Sequence, residues 1–174
     1  MQKIKIYDQY QKYGVAEYYK QFSNQYQNPH HAKIESIFIK YLFKLISRKT
    51  CILDIACGEG LITRLVNHYN QNYNIDGTDP FFNNQYTKFN YSFEDIALGK
   101  MNNYKYDLVI CCYAFHLIDH TWKYDFLSQL ALITNKFIII TPSKKMNLNH
   151  PSWKSILEIR EEKITLIILE NVSQ

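Results

Sequence analysis

The sequence has few of the features that place a chain outside the cell, in a membrane or around a metal ion. Its 174 residues include only four cysteines, Cys51, Cys57, Cys111 and Cys112, and no two of them have the C-x-x-C spacing of a zinc or redox site. No N-terminal stretch has the apolar core of a signal peptide, and no apolar run is long enough to cross a bilayer. We therefore expect a cytoplasmic protein with no membrane association, no metal site and reduced, mostly buried thiols.

The chain also lacks internal repeats and any linker that would separate two domains. Hydrophobic residues make up 47% of it and charged residues 21%, which suits a single core. The net charge of +4 is mildly basic, and it is compatible with an anionic ligand or RNA without indicating one. We expect one domain over residues 1–174, with a tyrosine-rich, partly helical segment at 1–28 and a core at 29–174.

From Cys51 onward, the chain contains an alternation of short apolar runs and helical patterns. The runs at 51–55, 73–79, 88–92, 106–113 and 136–142 predict strands, and the patterns at 61–69 and 122–133 predict helices. Before them, apolar residues recur at helical spacing from Ile34 to Leu45. Alternating strands and helices favour a mostly parallel sheet that is covered on both faces. The stretch 153–172 predicts two further strands around a charged turn, which would form an antiparallel hairpin at the sheet edge.

A turn of small residues joins the first strand to its helix. Residues 56–60 read ACGEG, and such a turn lets a ligand approach the backbone at a helix N-terminus. Asp79 ends the next strand about 20 residues beyond Gly58, where sheets of this type place a ribose-binding acid. The pair indicates a nucleoside ligand. A dinucleotide fingerprint would need a third glycine, and this chain has Thr63 at that position.

These residues resemble the class I S-adenosylmethionine-dependent methyltransferase superfamily. LDIACGEG is similar to its first motif, D-x-G/A-x-G-x-G, at Asp54, Ala56, Gly58 and Gly60, and DGTD is similar to the second, which ends at Asp79. FEDIAL (93–98), YDLVICCYAFHLID (106–119) and LALITNKFIIITPSKK (130–145) look like the third, fourth and fifth. The resemblance implies a Rossmann-like α/β fold: a mostly parallel seven-stranded sheet with a C-terminal antiparallel hairpin and helices on both faces.

The resemblance also implies where S-adenosylmethionine binds. Asp54 would bind the methionine ammonium, directly or through water, or would only cap the turn. Asp79 would bind the ribose, and Asp95 would bind the adenine amino group or cap a helix. Few residues follow Asp79 before the third strand, so we expect the usual helix there to be short or absent, with Pro80, Phe81 and Phe82 as the adenine wall. The expected cofactor-binding residues are Asp54, Ala56, Cys57, Gly58, Gly60, Asp79, Pro80, Phe81, Glu94, Asp95, Ile96, Cys111 and Cys112.

Further residues are candidates for the acceptor side of the site. His116 follows the fourth strand and titrates near neutral pH, so it is a candidate general base; alternatively it only packs the loop. Tyr18 or Tyr19 would reach into the site if the N-terminal segment closes over the cofactor as a lid, and would otherwise pack on the core. Tyr113 is a candidate substrate contact.

The sequence leaves the acceptor open among a small molecule, RNA and protein. The tetrad N/D-P-P-Y/F marks the branch of the resembling superfamily that methylates exocyclic amines in nucleic acids or glutamine. Here Cys111-Cys112-Tyr113-Ala114 stands in its place, which argues against that branch. Three hypotheses follow: an active methyltransferase, a catalytically silent subunit that is a structural or activating partner in a larger complex, and a nicotinamide-dependent oxidoreductase.

Overall fold

The structure is a computed structural model that describes residues 6–22, 28–47, 49–69 and 74–173. Parts of the predicted segment 1–28 and the start of the predicted strand 73–79 lie outside these residues. The helices are α1 (Ile6–Tyr13), α2 (Val15–Phe22), α3 (His31–Ile37), α4 (Leu61–Tyr69), α5 (Phe93–Ala97) and α6 (His120–Ile133). A π-helical turn (Phe38–Leu42) and a 3-10 turn (Phe43–Leu45) extend α3, and no described helix is long and apolar enough to cross a membrane.

Six strands form one mixed sheet in the described residues. They are β1 (Cys51–Ile55), β2 (Asn74–Thr78), β3 (Leu108–Cys112), β4 (Lys136–Thr141), β5 (Trp153–Glu161) and β6 (Ile164–Asn171). The order across the sheet is β2-β1-β3-β4-β6-β5. The pairs β1–β2, β1–β3 and β3–β4 are parallel, whereas β6 is antiparallel to both β4 and β5. The predicted parallel alternation is therefore confirmed for the first four strands.

The prediction of seven strands was wrong by one. The segment 88–92 makes only an isolated parallel bridge, between Phe89 and Thr78. The Thr78 hydroxyl donates to the Tyr91 carbonyl at 3.0 Å and accepts from the Tyr91 N–H at 3.2 Å. The Thr78 hydroxyl thus forms hydrogen bonds with the Tyr91 N–H and carbonyl, which would otherwise pair with a neighbouring strand. The chain therefore turns toward α5 and does not continue as a strand.

The C-terminal hairpin forms, but only one of its two strands lies at the sheet edge. β6 is inserted between β4 and β5, so β5 is the edge strand. The connecting residues Glu162 and Lys163 have φ values of 47° and 71°. Two successive left-handed residues are the signature of a tight two-residue hairpin turn, whose twist matches that of the flanking strands.

Helices cover both faces of the sheet, as predicted. Alternate residues of β4 point to opposite sides: Phe137 joins a buried cluster with residues of α5 and α6, and Ile138 joins a second cluster with residues of α3 and α4. Both side chains have no exposed surface. A strand covered on two faces must be apolar at every position, which explains the continuous run FIII in β4.

Candidate active site

A cavity of about 260 Å³ lies at the carboxyl ends of β1, β2 and β3. Its wall combines the turn after β1, the residues that follow β2 and β3, the start of α5 and part of α2. In a parallel sheet the carboxyl ends of the strands meet at one edge, where ligands bind. The fold therefore gathers residues from distant parts of the chain around one space.

Three residues with left-handed backbone build the turn between β1 and α4. They are Ala56 (φ 55°), Gly58 (φ 54°) and Gly60 (φ 76°). This conformation costs a residue with a Cβ about 1–2 kcal/mol, so Ala56 is strained and the glycines are not. A Cβ on Gly58 would meet only the Phe82 ring, at 3.9 Å, whereas a Cβ on Gly60 would overlap the Tyr86 ring. Gly58 keeps the cavity wall open, and Gly60 makes room for Tyr86.

The Asp79 carboxylate ties this turn to the residues after β2. Its Oδ2 accepts from the Gly58 N–H at 3.0 Å, and its Oδ1 accepts from the N–H groups of Phe81 (2.8 Å) and Phe82 (3.1 Å). Burial raises the pKa of Asp79, although the three N–H groups lower it. Because three of about four acceptor positions are filled, the carboxylate has room for one more hydrogen bond, at Oδ2.

Asp54, in β1, is a buried acid with little to stabilise its charge. Its side chain is 1% exposed, and the Thr63 hydroxyl lies 3.5 Å from its Oδ2. Burial first, and then the nearby Asp79 charge, raise the pKa of Asp54 to about 8. A cation that entered the cavity would favour the ionised form of such a group.

The segment between β2 and α5 contains no helix and is held by side-chain contacts. Asn84 donates to the Gly58 carbonyl at 2.9 Å, and its Oδ1 accepts from the Tyr86 N–H at 2.9 Å. The Arg64 guanidinium lies 5.9 Å from the centre of the Tyr86 ring. This confirms the expectation that the helix usual at this place is absent, and it shows what replaces it.

Helix α2 covers one side of the cavity. Val15, Ala16 and Tyr19 line it. The Tyr19 ring stacks on Phe81, with 5.8 Å between centroids and 15° between planes, and its hydroxyl is 2.6 Å from that of Tyr10. Of the two tyrosines expected to reach into the site, the structure places Tyr19 on the cavity wall.

The turn after β3 brings a second strained residue to the cavity. Tyr113 lines it with φ 58°, a conformation rare for a bulky side chain. Its ring stacks on His30, with 5.1 Å between centroids and 30° between planes. Asn28, whose Oδ1 accepts from the His30 N–H at 2.9 Å, also lines the cavity. The start of α3 thus supports the wall beside Tyr113.

Comparisons with known proteins agree with this geometry. No family model matches the chain. An uncharacterized protein of Schizosaccharomyces pombe is 26% identical over 187 residues, covering 80% of this chain and 75% of that protein. The magnesium protoporphyrin IX methyltransferase of Synechocystis PCC 6803, solved with bound S-adenosylmethionine, is similar with a TM-score of 0.56 at 13% identity, covering 98% of this chain and 99% of that one. The 16S rRNA methylase ArmA has a TM-score of 0.56 at 16% identity, covering 95% and 96%.

The chain has the class I methyltransferase fold. The two solved proteins are named for different substrates, a porphyrin and a ribosomal RNA. A methyltransferase fold therefore does not by itself name the acceptor, which must be argued from the site.

Most of the residues predicted to bind the cofactor line the cavity of this methyltransferase fold. Those on the wall are Asp54, Ala56, Cys57, Gly58, Asp79, Pro80, Phe81, Glu94 and Cys112, and those away from it are Gly60, Asp95, Ile96 and Cys111. Ile96 and Cys111 have no exposed surface and belong to the core cluster that packs with α6. Of the acceptor-side candidates, Tyr19 and Tyr113 line the cavity, and Tyr18 and His116 do not.

The Asp95 carboxylate caps its own helix, α5. It accepts from the Ser92 N–H at 3.0 Å, Ser92 accepts from the Asp95 N–H at 3.2 Å, and Lys100 Nζ lies 2.6 Å from its Oδ1. The lysine is the main reason that the pKa of Asp95 is lowered. The arrangement is that of a capping box, so it fits helix capping and not a direct contact with adenine. Glu94 is the acid of this segment that lines the cavity.

His116 lies in the 3-10 turn that follows β3, away from the cavity wall. Burial lowers its pKa, and its Nδ1 has no hydrogen-bond partner among the described residues. The neighbours Ala114 and Leu117 line the cavity instead. The structure thus favours the loop-packing alternative for this histidine.

The sequence did not predict the residues that hold the turn after β1 in place, although it predicted most of the residues that line the cavity. Asn84 and Tyr86, which hold the first turn, carry no motif of their own. Phe93, Leu117 and Tyr91 line the cavity from positions that only the fold defines. The sequence Asn83-Asn84 is typical of side chains that hydrogen-bond their own turn, and it was the one available signal.

Proposed function

We propose that this protein is an S-adenosylmethionine-dependent methyltransferase that transfers a methyl group to its acceptor by in-line displacement. The observation that supports this most directly is the Asp79 carboxylate on the cavity wall, bonded to the N–H of the left-handed Gly58. A nucleoside needs such a combination: an acid for the ribose beside a backbone with no side chain in the way. The fold of the solved neighbour that holds S-adenosylmethionine agrees with it.

The residues present fit this cofactor. Asp54 is a buried carboxyl on the cavity wall with no ion-pair partner among the described residues, so it is suited to an ammonium group. Asp79 would accept one ribose hydroxyl at Oδ2. Pro80 and Phe81 would flank the adenine on one side, and Glu94 and Phe93 on the other.

The chemistry that S-adenosylmethionine supplies is a methyl group made electrophilic by the sulfonium. The protein's part is to orient two reactants and exclude water, because the methyl carbon, the leaving sulfur and the acceptor must be in line. Helix α2, through Tyr19, would close one side of the cavity. Tyr113 would position the acceptor from the other side.

The alternatives gain no support. A catalytically silent subunit is favoured by no observation on the described residues, which keep an acid-lined cavity. A nicotinamide-dependent oxidoreductase would need the third glycine of its fingerprint, and α4 carries Thr63 there.

Thermal unfolding with S-adenosylmethionine, S-adenosylhomocysteine and NAD tests the proposal. An adenosyl ligand at 100 times its Kd should add about 2.7 kcal/mol, or roughly 5–10 °C in Tm for a domain of this size. Asp79→Ala should abolish the shift, and Asp125→Ala, an exposed aspartate in α6, should keep it. No shift with either adenosyl ligand would overturn the proposal. If the shift appears, transfer of a labelled methyl group distinguishes an active enzyme from a silent subunit.

A further inference from the structure

The loop that joins β4 to β5, residues 142–152, ends in a tight turn built around His150. The Trp153 N–H donates to the His150 carbonyl at 3.1 Å, and Pro151 takes the second position of the turn, where its fixed φ is preferred. His150 is only 5% exposed, and its ring centroid lies 4.5 Å from that of Tyr124 on α6. A titratable ring is thus buried where the loop meets α6.

Both nitrogens of this imidazole have hydrogen-bond partners. The Ser152 N–H donates to Nδ1 at 3.2 Å, and Nε2 lies 2.9 Å from Oγ of Ser128 on α6. Because a backbone N–H can only donate, Nδ1 carries no proton, and Nε2 carries the single proton of the neutral ring. Ser128 accepts from that Nε2–H and donates its own proton to the Tyr124 carbonyl at 3.1 Å. This chain of hydrogen bonds requires a neutral His150.

A second proton on His150 has no acceptor in this arrangement. It would bind to Nδ1, where the new N–H and the Ser152 N–H would face each other as two donors. A buried imidazolium would also have lost its contact with water. Protonation therefore favours a conformation in which the ring leaves its place against α6.

The elements packed against the ring bring no charge to it within the described residues. Tyr124 is the titratable group of α6 that contacts it, whereas the Lys123 amine lies over the Phe115 ring, 5.5 Å from its centre. The other charged residues that flank the ring or its partners in the sequence are exposed: Asp125, Lys144, Lys145 and Lys154. Burial is accordingly the cause that lowers the pKa of His150.

We propose that His150 is an acid-sensitive latch, and that its protonation releases the loop 142–152 from α6 while the sheet stays folded. Met146 and Leu148 of the loop pack on the core but are only partly buried, so release exposes less apolar surface than the opening of a strand. Trp153 limits the opening at the start of β5, because its indole N–H donates to the Leu127 carbonyl at 2.8 Å.

The latch does not depend on the proposed function. The loop follows β4, which is paired in parallel with β3, so it leaves the sheet at the edge where the cavity lies. All residues of the loop are described, and none of them lines the cavity wall. The test therefore needs neither a cofactor nor an acceptor.

The pH dependence of the latch has a definite sign. Below the unfolded-chain pKa of 6.5, a released ring binds a proton that the buried ring, with its lower pKa, does not. The latch is therefore closed above about pH 6.5, and it weakens as the pH falls toward the pKa of the buried ring. One proton changes the opening equilibrium by at most about tenfold per pH unit.

Nuclear magnetic resonance of the histidine side chains tests the state of the ring in the unsubstituted protein. We expect His150 to carry its proton on Nε2 at about pH 7.5, and to titrate at lower pH in the folded protein than in the same chain unfolded in urea. A proton on Nδ1, or equal titration midpoints in the two states, would overturn the proposal.

Amide hydrogen exchange, corrected for the intrinsic effect of pH, tests the release itself. Protection of the loop 142–152 should be lower than that of β4 at every pH, and below about pH 6.5 it should fall by up to about tenfold per pH unit. His150→Asn should abolish this fall, because its amide oxygen can accept from the Ser152 N–H but does not titrate. His31→Asn, at an exposed position of α3, is the matched control and should keep it.

A second variant keeps the titrating ring and removes its partner on α6. Ser128→Ala should lower the protection of the loop at about pH 7.5 and preserve its dependence on pH. Equal protection of the loop and β4 would mean that they open together, which contradicts a local latch. A fall that persists in His150→Asn would assign the proton to another group, such as the buried His116, and would also refute the proposal.

Discussion

Two turns at the carboxyl ends of neighbouring strands line the same cavity, and they are held in different ways. The turn after β1 contains the left-handed Ala56, and the turn after β3 contains the left-handed Tyr113. The strands before them are paired directly, with Ile55 opposite Cys111. Each turn therefore places one strained residue with a side chain on the cavity wall.

The first turn is fixed by hydrogen bonds and by the space that glycines leave. Asp79 and Asn84 bond the backbone of Gly58 from two sides, and Tyr86 packs where Gly60 has no side chain. The second turn is supported by the stack of Tyr113 on His30. On the proposed function, the turn held by hydrogen bonds would contact the cofactor, and the turn that presents a ring would contact the acceptor. Side-chain hydrogen bonds thus fix one turn and a ring stack supports the other.

The largest effect is expected from adding one methyl group within the first turn. Gly60→Ala should lower the free energy of unfolding by about 4 kcal/mol, because the Cβ adds left-handed strain and collides with Tyr86. Gly58→Ala is the matched control. Its Cβ adds the same left-handed strain but enters open space, so the free energy of unfolding should fall by only about 1–2 kcal/mol. Urea unfolding of both variants measures the difference. Equal losses of unfolding free energy in the two variants would show that the Tyr86 ring does not need the space that Gly60 leaves.

The next effect concerns pH and the buried Asp54. Burial raises the folded-state pKa from 3.8 to about 8, so between these values the folded protein holds a proton that the unfolded chain has released. The contribution of this proton to the free energy of unfolding is therefore fully present below about pH 4, and it is lost as the pH rises toward 8. We expect wild type to lose stability over this window relative to Asp54→Asn, at up to about 1.4 kcal/mol per pH unit.

Urea unfolding at several pH values measures this difference, with Asp125→Asn as the exposed control. Saturating S-adenosylmethionine should diminish the loss, because an ammonium beside Asp54 favours the ionised carboxyl. If the wild type and Asp54→Asn curves run parallel from pH 4 to 8, Asp54 is not protonated in the folded protein.

The first turn was predictable from the sequence, and the reason is local. Small residues between an apolar strand and a helix are needed wherever the backbone adopts positive φ, so ACGEG and the spacing to Asp79 were visible without a structure. The alternation of strands and helices was visible for the same reason, because it depends on patterns a few residues long.

The remaining features depend on which way a side chain faces within a single turn of helix or loop. Glu94, and not Asp95, lines the cavity because Ser92 and Lys100 hold the Asp95 carboxylate. Similarly, Tyr19 and not its neighbour Tyr18 reaches the wall. The lost strand at 88–92 was decided by one hydroxyl, that of Thr78. None of these choices leaves a periodic signal.

A smaller effect should separate the two turns by function. A double-mutant cycle of His30→Ala and Tyr113→Ala should give a coupling of about 1 kcal/mol in the free energy of unfolding, since the rings stack. The affinity for S-adenosylhomocysteine should stay unchanged, because the bond between Asp79 and Gly58 is untouched. The pair His68 and Tyr69 on α4, with 4.8 Å between centroids, is the control, and its cycle should also leave that affinity unchanged. Loss of cofactor affinity in the first cycle would assign Tyr113 to the cofactor side.

The smallest effect has the opposite sign. Ala56→Gly should raise the free energy of unfolding by about 0.5 kcal/mol, because relief of about 1–2 kcal/mol of left-handed strain outweighs the chain entropy that glycine adds, about 0.5–1 kcal/mol. Tyr113→Gly relieves the same strain but removes a stacked ring, so it should not stabilise. The urea midpoint, at constant slope, measures both. A gain at position 56 alone would mean that strain in the first turn serves no packing purpose, whereas the strain at Tyr113 is retained for the ring it presents to the cavity. A gain at both positions would remove that distinction and leave the two turns alike.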